Sequence, residues 1–220
     1  MAEPLIIFGN GQMAEIAHVR FSRDADYEVV GFTVDRAHAG EARFRGLPLV
    51  PFDEVDRHFP PASVRMFIAV GPVQVNRIRA DRFLQARRLG YRFATSVGTR
   101  AILDPEVTIG ENCSIGEGAI VAPLTRIGDN VRIGAGCLIG HHCVLEDHCF
   151  VGVGCVVGGS VRLGQRAFVG MNATIRDRVS IGDEAVIGSG ASIVRDVPAG
   201  GVLAAPEAVV LPISADRAKL

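Results

Sequence analysis

Three of the six histidines of this chain fall within eight residues, in Gly140-His141-His142-Cys143-Val144-Leu145-Glu146-Asp147-His148. Imidazole titrates near neutral pH, so such a cluster can take a proton from an attacking hydroxyl or amine, ligate a metal, or simply be solvated. A second chemically suggestive segment lies near the other end. The apolar run Leu5 to Phe8 stops at Gly9-Asn10-Gly11-Gln12, and a helical pattern from Met13 to Arg23 follows, with Ala14, Ile16, Ala17 and Phe21 as core positions. A glycine-rich strand-to-helix loop lets backbone N–H groups approach a phosphate. It lacks a third glycine in dinucleotide register, with Ala14 the small residue available, which argues against NAD. The same glycines are also consistent with nothing more than a tight turn.

The elements that would position the histidines announce themselves by period. Every sixth residue from Ile109 to Ile193 is Ile, Val or Leu, fifteen in succession, and Gly follows most of them. Helices repeat every 3.6 residues and strands every two, so a period of six belongs to neither. It predicts a parallel β-helix, a triangular prism of three hexads per coil and five coils, with the aliphatics inward and the glycines relaxing the corners. Two residues before each aliphatic stands a small residue, and all five cysteines occupy this column. They are expected to be reduced, buried core residues rather than disulfides or a zinc site. In this frame His141 and His142 lie outward or at a corner, while Cys143 points in, so a shared metal is not expected. Residues eighteen apart stack on neighbouring coils. His141 therefore falls between Pro123 and Gly159, with Gly158-Gly159-Ser160 predicted to leave an open shelf, and His148 falls between Asn130 and Arg166 on the surface.

The first hundred residues follow another plan. Tyr27 to Thr33 reads as a second strand with Asp35 just past its end, and Phe52 to Phe59 as a short helix. Met66 to Val70 is a third strand closed by Gly71, Val73 to Leu89 a long helix capped at Gly90, and Tyr91 to Thr95 a fourth strand. Alternating strands and helices predict a Rossmann-like parallel sheet. The expected division is 1–97 for this α/β domain, 98–200 for the left-handed β-helix domain and 201–220 for a C-terminal tail. Net charge is −1, which offers no electrostatic case for nucleic acid. The start of the chain has no basic region ahead of its apolar run, and no stretch is long enough to span a membrane, so a cytoplasmic location is expected.

The combination of these two parts resembles the bacterial hexapeptide-repeat sugar acyltransferases, in the branch of sialic acid O-acetyltransferases and N-acetyltransferases of nucleotide-linked 4-amino-sugars. The carriers are Phe8-Gly9-Asn10-Gly11-Gln12, Val29-Val30-Gly31-Phe32-Thr33-Val34-Asp35 and Ile139-Gly140-His141-His142-Cys143-Val144-Leu145. The resemblance implies a homotrimer of polysaccharide biosynthesis that binds acetyl-CoA, or another acyl-CoA, in a groove between prisms. It implies His141 as general base with His142 beside it, and no metal. It implies a sugar-nucleotide site at Gly9, Asn10, Gly11, Gln12, Asp35 and Gly71. It implies CoA contacts from Phe150, Gly158, Gly159, Asn172, Arg178 and Arg195. Asn172 could equally be a plain corner residue, and the two arginines solvated charges.

Three departures qualify that expectation. His142 stands where many members carry an acidic residue, with Glu146 or Asp147 as substitutes. Phe150 stands where a second histidine is usual, and the closing segment reads Ala204-Ala205-Pro206-Glu207-Ala208. The expected activity is acetyl transfer to the amino group of a nucleotide-linked deoxy-amino-sugar. The alternatives are O-acetylation, transfer of a larger acyl group, a catalytically weakened sugar-nucleotide-binding trimer, and a prism with an interfacial zinc.

Overall fold

The computed structural model describes residues 2–208; most of the expected tail, 209–220, lies outside them. The first part is built on β1 (Glu3–Phe8), β2 (Tyr27–Val34), β3 (Arg43–Phe44), β4 (Leu47–Pro51), β5 (Arg65–Ile68) and β6 (Arg92–Phe93), with α1 (Gln12–Phe21), α2 (Val55–His58) and α3 (Arg77–Arg88). The sheet runs β3-β4-β2-β1-β5-β6, parallel except for the β3–β4 pair. Alternate residues of β1 point to opposite faces, as the period-two rule requires. Leu5 and Ile7 pack with Ala14, Ala17 and Phe21 of α1. Ile6 and Phe8 pack with Val55 of α2 and Phe83 and Ala86 of α3. Ile16, expected in this core, is instead exposed, because α1 turns that side toward the second part of the chain.

Two departures from the expected elements have local causes. Helix α3 begins at Arg77 rather than Val73 because Gln74, Val75 and Asn76 are all left-handed, with φ of 51°, 51° and 63°. Each costs on the order of 1–2 kcal/mol for a residue with a Cβ. The β3–β4 hairpin has no counterpart among the expected elements; Pro48 and Pro51 fall in β4, next to the sheet edge, where proline is tolerated.

From Ser96 onward the chain is a triangular parallel β-helix. A first face carries Ser96–Val97, Ser114–Ile115, Arg132–Ile133, Phe150–Val151, Phe168–Val169, Val186–Ile187 and Val202–Leu203. A second runs from Ile102–Leu103 through Leu138–Ile139 to Ser192–Ile193, and a third from Thr108–Ile109 through Val144–Leu145 to Ser180–Ile181. Partners are eighteen residues apart, as Arg132 to Phe150 shows. With seven, six and five strands on its faces the prism is longer than five coils, since Val97 and Leu103 continue the inward phase ahead of Ile109. The small column and the aliphatics form one continuous core. All five cysteines are buried and unpaired, and burial pushes the Cys113 and Cys149 thiols up to about 12.

The glycines after the aliphatics do not relax the corners by a positive φ. They are required by close approach: a Cβ on Gly116 would lie 2.3 Å from the Ala135 nitrogen of the next coil. The left-handed residues come two positions later, again every sixth. One corner carries Gly118, Gly136, Gly154, Asn172 and Gly190. A second carries Leu124, His142, Ser160 and Arg178, and the third Asn112, Asn130, His148, Arg166 and Glu184.

That third corner is where the α/β part docks. The Asn112 side chain accepts from the Ile68 N–H (2.7 Å) and donates to the Asn130 side-chain oxygen Oδ1 (2.7 Å). Asn76 donates to the Arg166 backbone oxygen (3.0 Å), and Arg87 bridges Glu111 (2.7 Å) and Asp129 (2.9 Å). Arg77 and Arg166 share Glu184. Arg79 is 3% exposed and inserts at the centre, donating to Asn130, Asn76 and the backbone oxygens of His148 and Cys149. Burial pulls its guanidinium down to about 10, still charged at neutral pH.

Candidate active site

His148, read from sequence as a surface residue, is 5% exposed. Its Nδ1 accepts from the Asn130 side chain (2.9 Å), and its ring meets Phe83 of α3 edge-on at 5.5 Å. Burial first, then Arg79 and Arg166, hold it down at about 4, against the opposing pull of Asp147 and Asp129, so it is neutral near pH 7. It belongs to the joint between the two parts.

His141 and His142 stay exposed at the second-to-third corner. The strand Leu138–Ile139 ends there, and Gly140 lets the chain pass within contact of Gly158 and Gly159 of the next coil. The two rings stand perpendicular with Nδ1 atoms 3.0 Å apart. One of these nitrogens must donate and the other accept. In the tautomer where His141 donates through Nδ1–H, its Nε2 keeps a free lone pair for a substrate proton. The resulting imidazolium continues to donate to neutral His142.

Neither acidic substitute reaches the pair. Glu146 accepts from Arg162 (3.2 Å), and Asp147 accepts from the Asp129 N–H (2.8 Å). The shelf expected at Gly158-Gly159 is occupied by the His141 ring itself: a Cβ on Gly159 would lie 2.7 Å from Nε2 and Cε1. Gly159 is thus the seat of the imidazole.

The remaining expected site residues fall into separate groups. Gly9, Asn10, Gly11, Gln12, Asp35 and Gly71 all line one cavity of about 490 Å3 above the sheet, where β1 and β2 end. Gly9 has φ of 130°, and a Cβ there would press on the Ala69 carbonyl at 3.0 Å, so the loop needs glycine. No side chain caps α1 at Gly11. Asp35 is already engaged: Arg82 donates to it through Nε (3.1 Å) and Nη2 (2.9 Å). Arg82, with His38 and Asp81, also lines the cavity. Sequence analysis missed these three, since they come from α3 and a short turn with no motif of their own.

Gly158, Gly159, Arg178 and Arg195 lie along the His141 edge, both arginines exposed. Asn172 sits at another corner, with φ of 56° and its oxygen lying over Gly154. Phe150 is on the first face, in a cavity of about 440 Å3 beneath α1. His141 lines neither cavity, and its corner differs from the one on which the α/β part sits. Among the described residues no group of three His, Cys, Asp or Glu side chains could hold a metal ion, and no helix is long and apolar enough to cross a membrane.

Over most of its length the chain is structurally similar to nucleotide-amino-sugar N-acetyltransferases of the hexapeptide-repeat family. A histidine-to-asparagine variant of perosamine N-acetyltransferase from Caulobacter crescentus, in complex with CoA and GDP-perosamine, is 25% identical. It superposes with a TM-score of 0.84, covering 93% of this chain and 95% of that one. The acetyltransferase domain of PglB from Neisseria gonorrhoeae FA1090 with acetyl coenzyme A (22%, TM-score 0.83, 93% and 97% covered) shares the fold. So does WeeI from Acinetobacter baumannii AYE (20%, 0.78, 93% and 97%). A family model described as GMPPB C-terminal domain matches residues 92–197, from the last strand of the α/β part through most of the prism. No curated protein sequence matches the chain.

Proposed function

We propose that the chain is an acyl-CoA-dependent acyltransferase that moves an acetyl group from acetyl-CoA to the amino group of a nucleotide-linked deoxy-amino-sugar, in polysaccharide biosynthesis in the cytoplasm. The observation that carries the chemistry is the exposed His141 ring seated on Gly159 with His142 at its Nδ1. The similarity to an enzyme holding CoA and GDP-perosamine supports the substrate class. The N-terminal unit is read as a Rossmann-like doubly wound domain whose cavity over Gly9–Gln12 takes the nucleotide diphosphate, with Gly71 and the Arg82–Asp35 pair at its wall. The prism is read as left-handed.

In the proposed step the substrate amine attacks the thioester carbonyl as His141 Nε2 takes its proton. The C–N bond forms, the C–S bond breaks, and the proton passes to the departing CoA thiolate. No covalent enzyme intermediate is required. Because His141 lines neither of the two cavities, the site is read as completed by a second copy. A row of exposed aliphatics down the second face, Ile102, Ile120, Leu138 and Val156, supports a homotrimer packed prism to prism. CoA would then lie between the His141 edge of one copy, with Gly158, Arg178 and Arg195, and the face of the next, with Phe150 and Asn172.

The test is release of free thiol from acetyl-CoA by the purified protein, with UDP-, GDP- and dTDP-linked amino sugars and their hydroxy counterparts as acceptors. Turnover of an amino sugar is expected, and H141A should reduce kcat by about 10²–10⁴-fold, the range for loss of a general base. An unchanged rate in H141A would overturn the assignment. Tight ligand binding with no thiol release would favour the sugar-nucleotide-binding alternative instead.

A further inference from the structure

The cavity beneath α1 has a composition that acetyl transfer does not require. Its walls are apolar: Ile16 of α1 above, and Phe150, Phe168 and Met171 of the prism below, with the two phenyl rings stacked at 5.3 Å. Two arginines enter it. Arg20 donates to the Ser114 hydroxyl (3.0 Å), and the Arg132 guanidinium lies 5.6 Å above the Phe150 ring. No aspartate or glutamate is among the lining residues. Elsewhere along the joint Arg77 and Arg87 find carboxylates in Glu184, Glu111 and Asp129, and the buried Arg79 is met by side-chain amide and backbone oxygens; among the described residues neither Arg20 nor Arg132 pairs with a carboxylate. Burial, and Arg20 beside it, lower Arg132 to about 10, so it remains a cation at neutral pH. A half-buried cation with no counter-charge is stabilised when a ligand supplies one.

We propose that this cavity is an anion subsite, taking a carboxylate carried on a short aliphatic chain: the carboxylate meets Arg20 and Arg132, and the chain lies on the Phe150–Phe168 stack. The nucleotide-binding cavity adjoins it. Met13 and Gly71 line that one, while Ile16 and Pro72, one helical turn and one residue further on, line this one. A ligand seated over Gly9–Gln12 can therefore extend into it. The carboxylate comes either from a dicarboxylic acyl thioester or from an acidic substituent on the sugar; this biological source rests on the acyl-transfer reading, whereas the subsite itself does not.

Ligand-observed NMR titration of the full-length protein with butyrate and with butyramide separates charge from shape. Butyrate is expected to bind at least tenfold more tightly, and R132M is expected to remove that difference without lowering the melting temperature. R20M serves as a second variant should R132M fail to fold. Equal binding of the two probes by the native protein, or discrimination that survives both substitutions, overturns the subsite. So does a change of oligomeric state in R132M without butyrate binding, which would mean that the arginines pair with a second copy. In turnover, a tenfold preference for succinyl-CoA over butyryl-CoA that R132M abolishes identifies the acyl source. The same preference for a carboxylated over a neutral nucleotide sugar identifies the acceptor. Charge discrimination in binding without thiol release from any donor–acceptor pair would sink the acyltransferase reading and leave the subsite standing.

Discussion

His142 and His148 are six residues apart, one full hexad and so in phase, and both adopt the left-handed corner conformation, with φ of 57° and 66°. Locally they are the same residue in the same place. His148 nevertheless sits under Phe83 and against Asn130, neutral and structural, while His142 stands in solvent holding the ring of His141. The difference is which prism corner each occupies. The corner with Asn112, Asn130, His148 and Arg166 is covered by α3 and its preceding loop, and the corner with His142, Ser160 and Arg178 is not. A repeat that makes corners equivalent in backbone leaves their chemistry to whatever lands on them.

The comparison can be broken most severely at the covered corner. R79A leaves the oxygens of Asn130, His148 and Cys149 buried without their donor and should cost on the order of 3–5 kcal/mol, read as a lowered urea midpoint. Little or no loss would mean that the two parts are joined mainly by other contacts.

Acid should act on the same corner through His148. Its folded value is about 4 against about 6.5 when exposed, so the unfolded chain binds the extra proton between those pH values. Stability is full above about pH 6.5, falls as pH drops toward 4, and loses at most about 3 kcal/mol from this group. H148N keeps a side chain that tolerates the left-handed corner and does not titrate, so denaturant melts between pH 4 and 7 should show a shallower slope.

The open corner should respond in rate rather than stability. G159A puts a methyl group where the His141 ring lies, and a side chain at a surface corner can swing aside. The expected result is a fall in kcat of about 10–100-fold, a fraction of the general-base contribution, with an unchanged melting temperature. A stability loss without a rate loss would reverse the assignment of the two corners. The smallest effect is expected at the loop before α3: V75G relieves one left-handed β-branched residue and should stabilise the fold by about 1 kcal/mol, seen as a raised melting temperature.

Much of the architecture was legible because it is periodic. The aliphatics from Ile109 to Ile193, the small column and the burial of the cysteines follow from a six-residue repeat, and the segment Gly9–Gln12 marks a cavity that the structure contains. Three of the misreadings share one character. Ile16, His148 and the start of α3 were judged from their own neighbourhoods, and each is decided at the joint between the two parts. Arg20, Arg82 and Arg132 carried no signal, being three arginines among twenty-two until the fold sorted them into paired and unpaired.

What the amino-acid sequence alone determined is the coil: local geometry repeats every six residues, and only small or aliphatic side chains fit its interior. Which histidine meets solvent, which arginines lack a counter-charge and where a cavity opens were decided by the tertiary structure. These properties depend on surfaces tens of residues apart in the chain, brought together by the docking of α3 on one of three corners whose backbones are alike.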